Sequence, residues 1–241
     1  MTSERSRASQ RAGRHRTGVA SLAARVVESL GGRYSVELGI DVDANEDEIE
    51  RWALAATLFG ARISATIAER TFAMLEQAGV RSIADAGRRD VGTLIELLDA
   101  GGYARYDLRT AERLHAIART LDADRHGRVS TVLDLPPDEL ESALDALPGW
   151  GPVTVGLFLR ELRGVRPGIN PPLDRRAAQA GEHLGLLEPG AGVIGLRELA
   201  AAAQIDARDL EAGLVRLSLA HGRHVRDCPG GRNCTLIIPP S

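Results

Sequence analysis

The amino-acid sequence predicts an all-α protein, and three features of its pattern support this. Apolar residues recur at three- and four-residue intervals in one segment after another, which is the spacing of a single helix face. Glycine follows most of these segments, where it is a common residue after a helix C-terminus. Alternation of period two, which would indicate strands, is nowhere longer than a few residues. Because aromatic residues make up only 3%, we expect a core of Ala, Leu, Val and Ile.

Start and stop signals locate the individual helices. The first segment ends at the glycine pair 31–32, and the second opens with the acids of residues 46–48, which suit the positive end of a helix dipole. Prolines at 136–137, followed by acids, predict another helix start. In order, the predicted helices lie within residues 18–32, 45–60, 64–79, 89–102, 107–121, 136–147, 152–164, 174–186 and 206–222.

Length and composition limit the possible classes of protein. A chain of 241 residues with 44% hydrophobic content can bury its own core, in one domain or in two joined lobes. No run of eighteen apolar residues occurs, and the five arginines within residues 1–16 precede no hydrophobic stretch, so neither a membrane span nor a secretory signal is indicated. We expect residues 1–16 to form a disordered basic tail. Two cysteines are too few for a disulfide scaffold, which favours the cytoplasm.

The charge balance restricts how the chain could bind a polyanion. A net charge of −3 provides no general basic surface, so any nucleic-acid binding would depend on a local structure. The sequence contains no lysine, and all 30 basic residues are therefore arginine. Consequently no side-chain amine is present for Schiff-base chemistry.

Residues 146–155, ALPGWGPVTV, join two predicted helices by a short turn with two glycines and two prolines. The second helix is expected to begin at Pro152, where the first backbone N–H groups lack a partner inside the helix and attract anions. Gly149 and Gly151 would let the chain turn tightly and let a phosphate approach the backbone. Taken alone, the turn is explained equally well as an ordinary helix–helix corner.

The context of this turn resembles the helix-hairpin-helix DNA glycosylase superfamily of endonuclease III. Thr154 follows the turn, Asp174 opens another helix downstream, GGYARY precedes the turn, and LAHGRHVRDC lies near the C-terminus. The resemblance extends over roughly residues 50–234.

The resemblance implies a two-lobed helix-hairpin-helix DNA glycosylase fold with a central cleft that receives the damaged base. One lobe would combine the N- and C-terminal helices, residues 17–54 and 166–241. The other, a helical barrel, would comprise residues 55–165 and contain the hairpin at 136–163.

Two positions decide the chemistry that the resemblance implies. Asp174 matches the catalytic aspartate of the family, where a fixed carboxylate would stabilise the positive charge developing on the deoxyribose or orient the attacking water. Aspartate at a helix start is also a favoured N-cap, and the two roles are compatible. Val153 stands where bifunctional members carry the lysine that attacks the sugar. We therefore expect a monofunctional enzyme, the N-terminal α-amine being the one amine left for lyase chemistry.

The other DNA-binding candidates lie in three places: at the hairpin, in two loops, and beside the catalytic aspartate. The two loops resemble those with which the family fills the gap left by an extruded base. In the loops, Arg62 would enter the minor groove, and Tyr103 or Arg105 would stack or insert. Packing between the lobes is the alternative for the tyrosine loop, and packing within the turn is the alternative for Trp150. The complete set is Leu147, Gly149, Trp150, Gly151, Val153, Thr154, Arg62, Tyr103, Arg105 and Arg175.

The C-terminal region departs from the family pattern. Family members commonly hold a [4Fe–4S] cluster through four cysteines, whereas this chain offers only Cys228 and Cys234, so we expect the cluster to be lost. His221 and His224 would complete the residue types of a zinc site, but their spacing is not a familiar one. A loop without metal, in which His221 caps or packs, is the expectation.

These inferences predict a monofunctional DNA glycosylase of base-excision repair that acts on a damaged, possibly alkylated, or mispaired base. Its partner would be double-stranded DNA, its location the nucleoid-associated cytoplasm without membrane contact, and its state a monomer. By resemblance, the carbonyls of Leu147 and Gly149 would bind a monovalent cation that bridges to the phosphate, and no other cofactor is expected. The alternatives are a non-catalytic helix-hairpin-helix DNA-binding protein and a protein–protein adaptor.

Overall fold

The computed structural model of the protein describes residues 17–61, 63–124 and 127–237. All regular secondary structure in these ranges is helical, which confirms the predicted all-α class. The chain divides into two compact units. The central unit is Ser35–Pro171, and the terminal unit combines the described residues up to Tyr34 with those from Pro172 onward.

The helices follow closely the order that the sequence pattern predicts. Three short 3-10 turns accompany them, at Ser130–Asp134, Gly222–Asp227 and Gly231–Asn233. None of the helices in the described ranges is long and apolar enough to cross a membrane. In chain order the helices are α1 (17–30), α2 (Tyr34–Glu37), α3 (Glu46–Phe59), α4 (Ala65–Gln77), α5 (Ile83–Arg88), α6 (Val91–Gly101), α7 (Asp107–Asp124), α8 (Pro137–Asp145), α9 (Pro152–Glu161), α10 (Arg175–His183), α11 (Val193–Ala203) and α12 (Ala207–His221).

Helix α3 forms the middle of the central unit, because ten of its fourteen residues are buried. Asn45 caps its N-terminus by accepting the N–H of Glu48 at 3.1 Å, and the acids of its first turn suit the positive end of the helix dipole. The helix packs against α4, α5 and α9. Trp52 is fully buried and donates from Nε1 to the carbonyl of Phe158 in α9 at 3.1 Å. The α8–α9 hairpin is thereby anchored to the core.

Buried carboxylates hold two connections of the central unit in place. Glu50, 4% exposed, accepts the backbone N–H groups of Val129 and Ser130 at 3.1 and 2.7 Å. Glu161 is fully buried and accepts the N–H of Ser35 at 2.8 Å. Backbone donors that burial would leave unpaired are satisfied in this way by side chains of α3 and α9.

The terminal unit packs helices from both ends of the chain into one apolar cluster. Helix α12 packs against α10 and α11, and α1 contributes Leu22 and Val26 to the same cluster. Two residues of the irregular C-terminal segment, Cys234 and Ile237, are also fully enclosed in it. Arg33 donates from its backbone N–H and from Nε to Asp209 in α12, both at 3.0 Å.

The observed division differs from the predicted one, which was residues 17–54 with 166–241 and residues 55–165. Residues 35–54 and 166–171 belong to the central unit. The reason is that α3 is buried there along most of its length, and Arg166 forms ion pairs with Glu46 and Asp134 of the same unit. The predicted basic tail, residues 1–16, lies outside the described residues.

Candidate functional site

The predicted hairpin is present in the central unit as α8, a tight turn and α9. Helix α9 begins at Pro152 as expected, with Gly151 as its N-cap. Within the turn, the N–H of Trp150 bonds to the carbonyl of Leu147 at 2.9 Å, and Gly149 adopts a φ of 77°. The turn is therefore set by backbone hydrogen bonding and by one left-handed residue.

The two glycines of the turn have different structural requirements. Gly149 lies in the left-handed region, and a Cβ placed there would lie 2.2 Å from Nε of Arg113. Gly151 has an extended φ of −153°, and a Cβ placed there would meet no described atom within 4 Å. Any residue could therefore adopt the backbone of Gly151. The fold requires the first glycine, whereas the second leaves open space in front of the α9 N-terminus.

The N-terminus of α9 presents backbone donors rather than side chains. No side chain in the described part of the chain caps it, and proline at its first position has no N–H. The N–H groups of Val153 and Thr154 have no partner inside the helix because they belong to its first turn. The Val153 side chain is 64% exposed, whereas the Thr154 side chain is buried against Gly60. An anion at this end would thus bind backbone amides.

Trp150 packs inside the unit, and its contact with DNA stays a prediction. The side chain is 5% exposed, and its Nε1 donates to Oγ1 of Thr57 at 3.0 Å. Its ring meets that of Phe158 edge to face, with centroids 5.1 Å apart. The Leu147 side chain is buried as well, and its carbonyl already accepts an internal hydrogen bond, so a cation at this oxygen would share it.

The tyrosine loop, residues 101–106, buries Tyr103 and leaves Arg105 exposed. Tyr103 is 1% exposed and donates from its hydroxyl to the carbonyl of Leu58 at 2.6 Å, and its stacking on or insertion into DNA stays a prediction. Burial raises the pKa of the Tyr103 hydroxyl, although the nearby positive charge of Arg113 acts to lower it. Arg105 is exposed, with its guanidinium 5.8 Å from the ring centroid of Tyr106. The other loop candidate, Arg62, lies outside the described residues.

Sequence reasoning missed Arg113, a residue of α7. Its guanidinium group lies against Gly149 and is close enough to Tyr103 to affect its pKa. A cation beside an open helix N-terminus would add to the attraction of an anion. The sequence did not single out Arg113, because it is one of several arginines on an amphipathic helix.

Asp174 is the N-cap of α10 in the terminal unit. Its Oδ1 accepts the N–H of Arg176 at 2.7 Å, so the N-cap interpretation of this aspartate is correct. Its own N–H donates to Oε1 of Glu211 at 3.0 Å, and Glu211 is a fully buried residue of α12. The buried carboxylate fixes the backbone from which Asp174 projects. Arg175, the next residue, is exposed.

A group of four metal-ligating side chains lies elsewhere in the terminal unit. His183, His221, Cys228 and Cys234 each offer one ligand atom, and all these atoms lie within 4.8 Å of one another. His224, considered from the sequence, is not part of the group. It lies on the exposed face of the Gly222–Asp227 turn. The sequence could not identify His183 because it is distant along the chain.

The environment of the four side chains differs from one to the next. Burial, helped by the neighbouring His183, lowers the pKa of His221 and favours the neutral imidazole. Burial opposes ionisation of Cys228, but the backbone N–H groups of Gly230 and Thr235 and the neighbouring His183 lower its pKa to about 6. Burial raises the pKa of Cys234. Both cysteines are free thiols.

Comparisons with known proteins add no assignment. The chain matches no family model, and no curated protein matches it in sequence.

Proposed function

We propose that the protein is a monofunctional DNA glycosylase of base-excision repair, which hydrolyses the N-glycosidic bond of a damaged or mispaired base in double-stranded DNA. The observation that supports this most is the hairpin, because its uncapped α9 N-terminus and the open space at Gly151 suit a phosphate held by backbone amides. Arg113 adds a positive charge beside the turn. Binding of this kind needs no basic surface, which agrees with a net charge of −3.

The proposed reaction requires a carboxylate and a water molecule. The oxygen of water bonds to C1′ of the deoxyribose, the bond from C1′ to the base nitrogen breaks, and its electron pair leaves with the base. The departing base takes up a proton, and the water gives one up to the carboxylate or to solvent. Asp174 would stabilise the positive charge on the sugar and orient the water, while Glu211 acts as its positioning residue.

The absence of lysine limits the reaction to this step. Bifunctional glycosylases need an amine to attack C1′, and this chain has valine at the matching position and no lysine anywhere. The product would therefore be an intact strand with an abasic site. Borohydride reduction during the reaction should trap no protein–DNA adduct, and a covalent adduct would contradict a monofunctional mechanism.

The experiment that tests the proposal compares two helix-capping aspartates. Asp174→Asn should lower base release from a panel of lesion-containing duplexes at least about 100-fold, because asparagine can cap the helix but carries no negative charge. The matched control is Asp206→Asn. Asp206 caps α12 in the same unit and accepts the N–H of Arg208 at 2.7 Å, the same geometry that Asp174 has with Arg176.

The readout is the released base, measured by mass spectrometry, together with strand cleavage after hot alkali. The proposal predicts that Asp206→Asn keeps its activity and that Asp174→Asn loses it while still binding DNA. Equal activity in both variants would remove Asp174 from the mechanism. Salt-dependent DNA binding without release of any base would favour the non-catalytic DNA-binding alternative.

A further inference from the structure

The C-terminal segment after α12 closes around two histidines at helix C-termini. His183 is the last residue of α10, and His221 is the last residue of α12. These helices pack along each other, and the two imidazole rings lie 5.0 Å apart, centroid to centroid, at an angle of 78°. The segment then brings Cys228 and Cys234 to the same place.

The backbone of the segment is shaped to make this approach. Gly230 and Gly231 are consecutive residues in the left-handed region, with φ of 70° and 54°. A Cβ on Gly230 would lie 2.6 Å from the carbonyl oxygen of His183, so only glycine allows the chain to pass this close to the end of α10. The two glycines lie between the cysteines in the sequence, and both thiols lie near the histidines.

The interatomic distances fit a single ion. His221 Nε2 and Cys234 Sγ are 3.1 Å apart, and all four ligand atoms fall within 4.8 Å of one another. Zinc bonds of about 2.3 Å to sulfur and about 2.0–2.1 Å to nitrogen place tetrahedral ligand atoms roughly 3.3–3.8 Å apart. Small side-chain adjustments would therefore bring all four onto one metal.

The group also contains one buried polar atom that the described residues do not fully satisfy. His183 Nε2 is closed off from solvent and makes no hydrogen bond of standard geometry with a described residue, although the imidazole lies close enough to Cys228 to affect its pKa. His221 is 5% exposed, and Cys234 is fully buried. Buried polar atoms of native proteins normally have partners, and a metal would supply one.

We propose that His183, His221, Cys228 and Cys234 bind one zinc ion in tetrahedral geometry. Two thiolates and two imidazoles are a common structural zinc set, and four protein ligands leave no open position for substrate. A [4Fe–4S] cluster is disfavoured, because it needs four thiolates and the chain has two cysteines. The zinc would join the ends of α10 and α12 to the C-terminal segment. This site is independent of the proposed DNA glycosylase activity.

The test is metal analysis of the full chain purified under reducing conditions. We expect one zinc per chain by mass spectrometry of the metal. After replacement by cobalt, we expect visible absorption of tetrahedral Co²⁺ and a thiolate charge-transfer band. X-ray absorption at the zinc edge should show two sulfur and two nitrogen ligands at about 2.3 and 2.0 Å.

Single variants then test which residues bind. Cys228→Ser and His183→Ala should each lower zinc affinity at least about 100-fold. Replacing even a residue that only hydrogen-bonds to a ligand typically lowers metal affinity about 10- to 100-fold. His224→Ala is the matched control, because this nearby histidine is exposed and does not belong to the four proposed ligands. Its Nδ1 lies 3.9 Å from Oδ2 of Asp227. It should keep one zinc. Circular dichroism checks that each variant remains helical.

Three results would overturn the proposal. The first is wild-type protein that binds no metal and gives no cobalt spectrum. The second is a disulfide between Cys228 and Cys234 that forms when the protein is oxidised without reductant, even if zinc is added beforehand. The third is equal loss of zinc in His224→Ala and Cys228→Ser, which would mean a different ligand set.

Discussion

Replacing each glycine of the hairpin turn by alanine separates the needs of the fold from those of a ligand. At Gly149, alanine would have to adopt a φ of 77°, which costs about 1–2 kcal/mol in the left-handed region. It would also displace Arg113, whose Nε would lie 2.2 Å from the new Cβ. Lower entropy of the unfolded chain returns about 0.4–1 kcal/mol. These two terms leave a loss of about 0–1.6 kcal/mol, and the displacement of Arg113 adds to it. We therefore expect Gly149→Ala to lose about 1–2 kcal/mol, or roughly 2–8 °C in Tm.

Gly151→Ala should leave stability almost unchanged. The extended φ of −153° suits alanine, and the new Cβ would meet no described atom within 4 Å. Alanine is the poorer N-cap by about 0.5 kcal/mol, which the entropy gain of about 0.4–1 kcal/mol offsets. If a phosphate occupies this space, however, the methyl group would separate it from the amides. Losing one hydrogen bond to a charged group, about 1.5–3 kcal/mol, would weaken DNA binding roughly 10- to 100-fold.

Two assays measure these effects. Thermal and urea unfolding give the stability of each variant, and fluorescence anisotropy with a duplex containing an abasic-site analogue gives its affinity at fixed salt. Gly192→Ala serves as control, because Gly192 is also an N-cap glycine without a side-chain cap, and a Cβ there would meet no described atom within 4 Å. Unchanged DNA affinity in Gly151→Ala, or equal weakening in Gly192→Ala, would refute phosphate binding at the hairpin.

Further substitutions test which interactions stabilise each unit internally. Glu50→Gln should destabilise the central unit by about 1–3 kcal/mol, because an amide replaces the buried carboxylate that accepts two backbone N–H groups. Urea unfolding measures this change in stability, and an unchanged unfolding midpoint would contradict the prediction. Tyr103→Phe should lose about 1 kcal/mol with the hydrogen bond to Leu58 while leaving DNA affinity unchanged; weaker binding would return Tyr103 to the DNA-contacting residues. Burial opposes ionisation of Asp206, but hydrogen bonds from Arg208 and the charge of Arg33 lower its pKa. This carboxylate therefore stabilises the fold above about pH 4 and stops doing so as pH falls through its folded pKa, so the stability difference between wild type and Asp206→Asn should shrink on acidification. A difference that is constant with pH would exclude this contribution.

Much of the fold could be predicted because helices carry their own periodic signal. Helix α3 and the start of α9 at Pro152 followed from acids, proline and apolar spacing. Helix α11 was missed because it opens with the β-branched pair Val193 and Ile194 followed by glycine, which weakens the helical pattern. The predicted domain boundary differs from the observed one because the pattern shows that α3 is apolar but not which helices cover it.

The candidate sites were harder to predict because they depend on contacts between distant residues. The two glycines of the turn are equivalent in the sequence, and only their φ angles and neighbours distinguish them. Tyr103 lies in a loop with exposed neighbours, so the sequence alone left both DNA contact and packing open for it. The sequence draws attention to His224 and not to His183 for the same reason. Proximity along the chain is the only guide there, whereas the packing of α10 on α12 determines which histidine meets the cysteines.

The discontinuity of the terminal unit has a consequence for biosynthesis. Helix α1 leaves the ribosome before the central unit, but the α10 to α12 residues with which it packs are translated after that unit. The central unit is one uninterrupted stretch, so it can acquire its structure while translation continues. Until the final helices emerge, the apolar face of α1 lacks its native cover, and nascent chains stalled before Arg175 should expose it to chaperones.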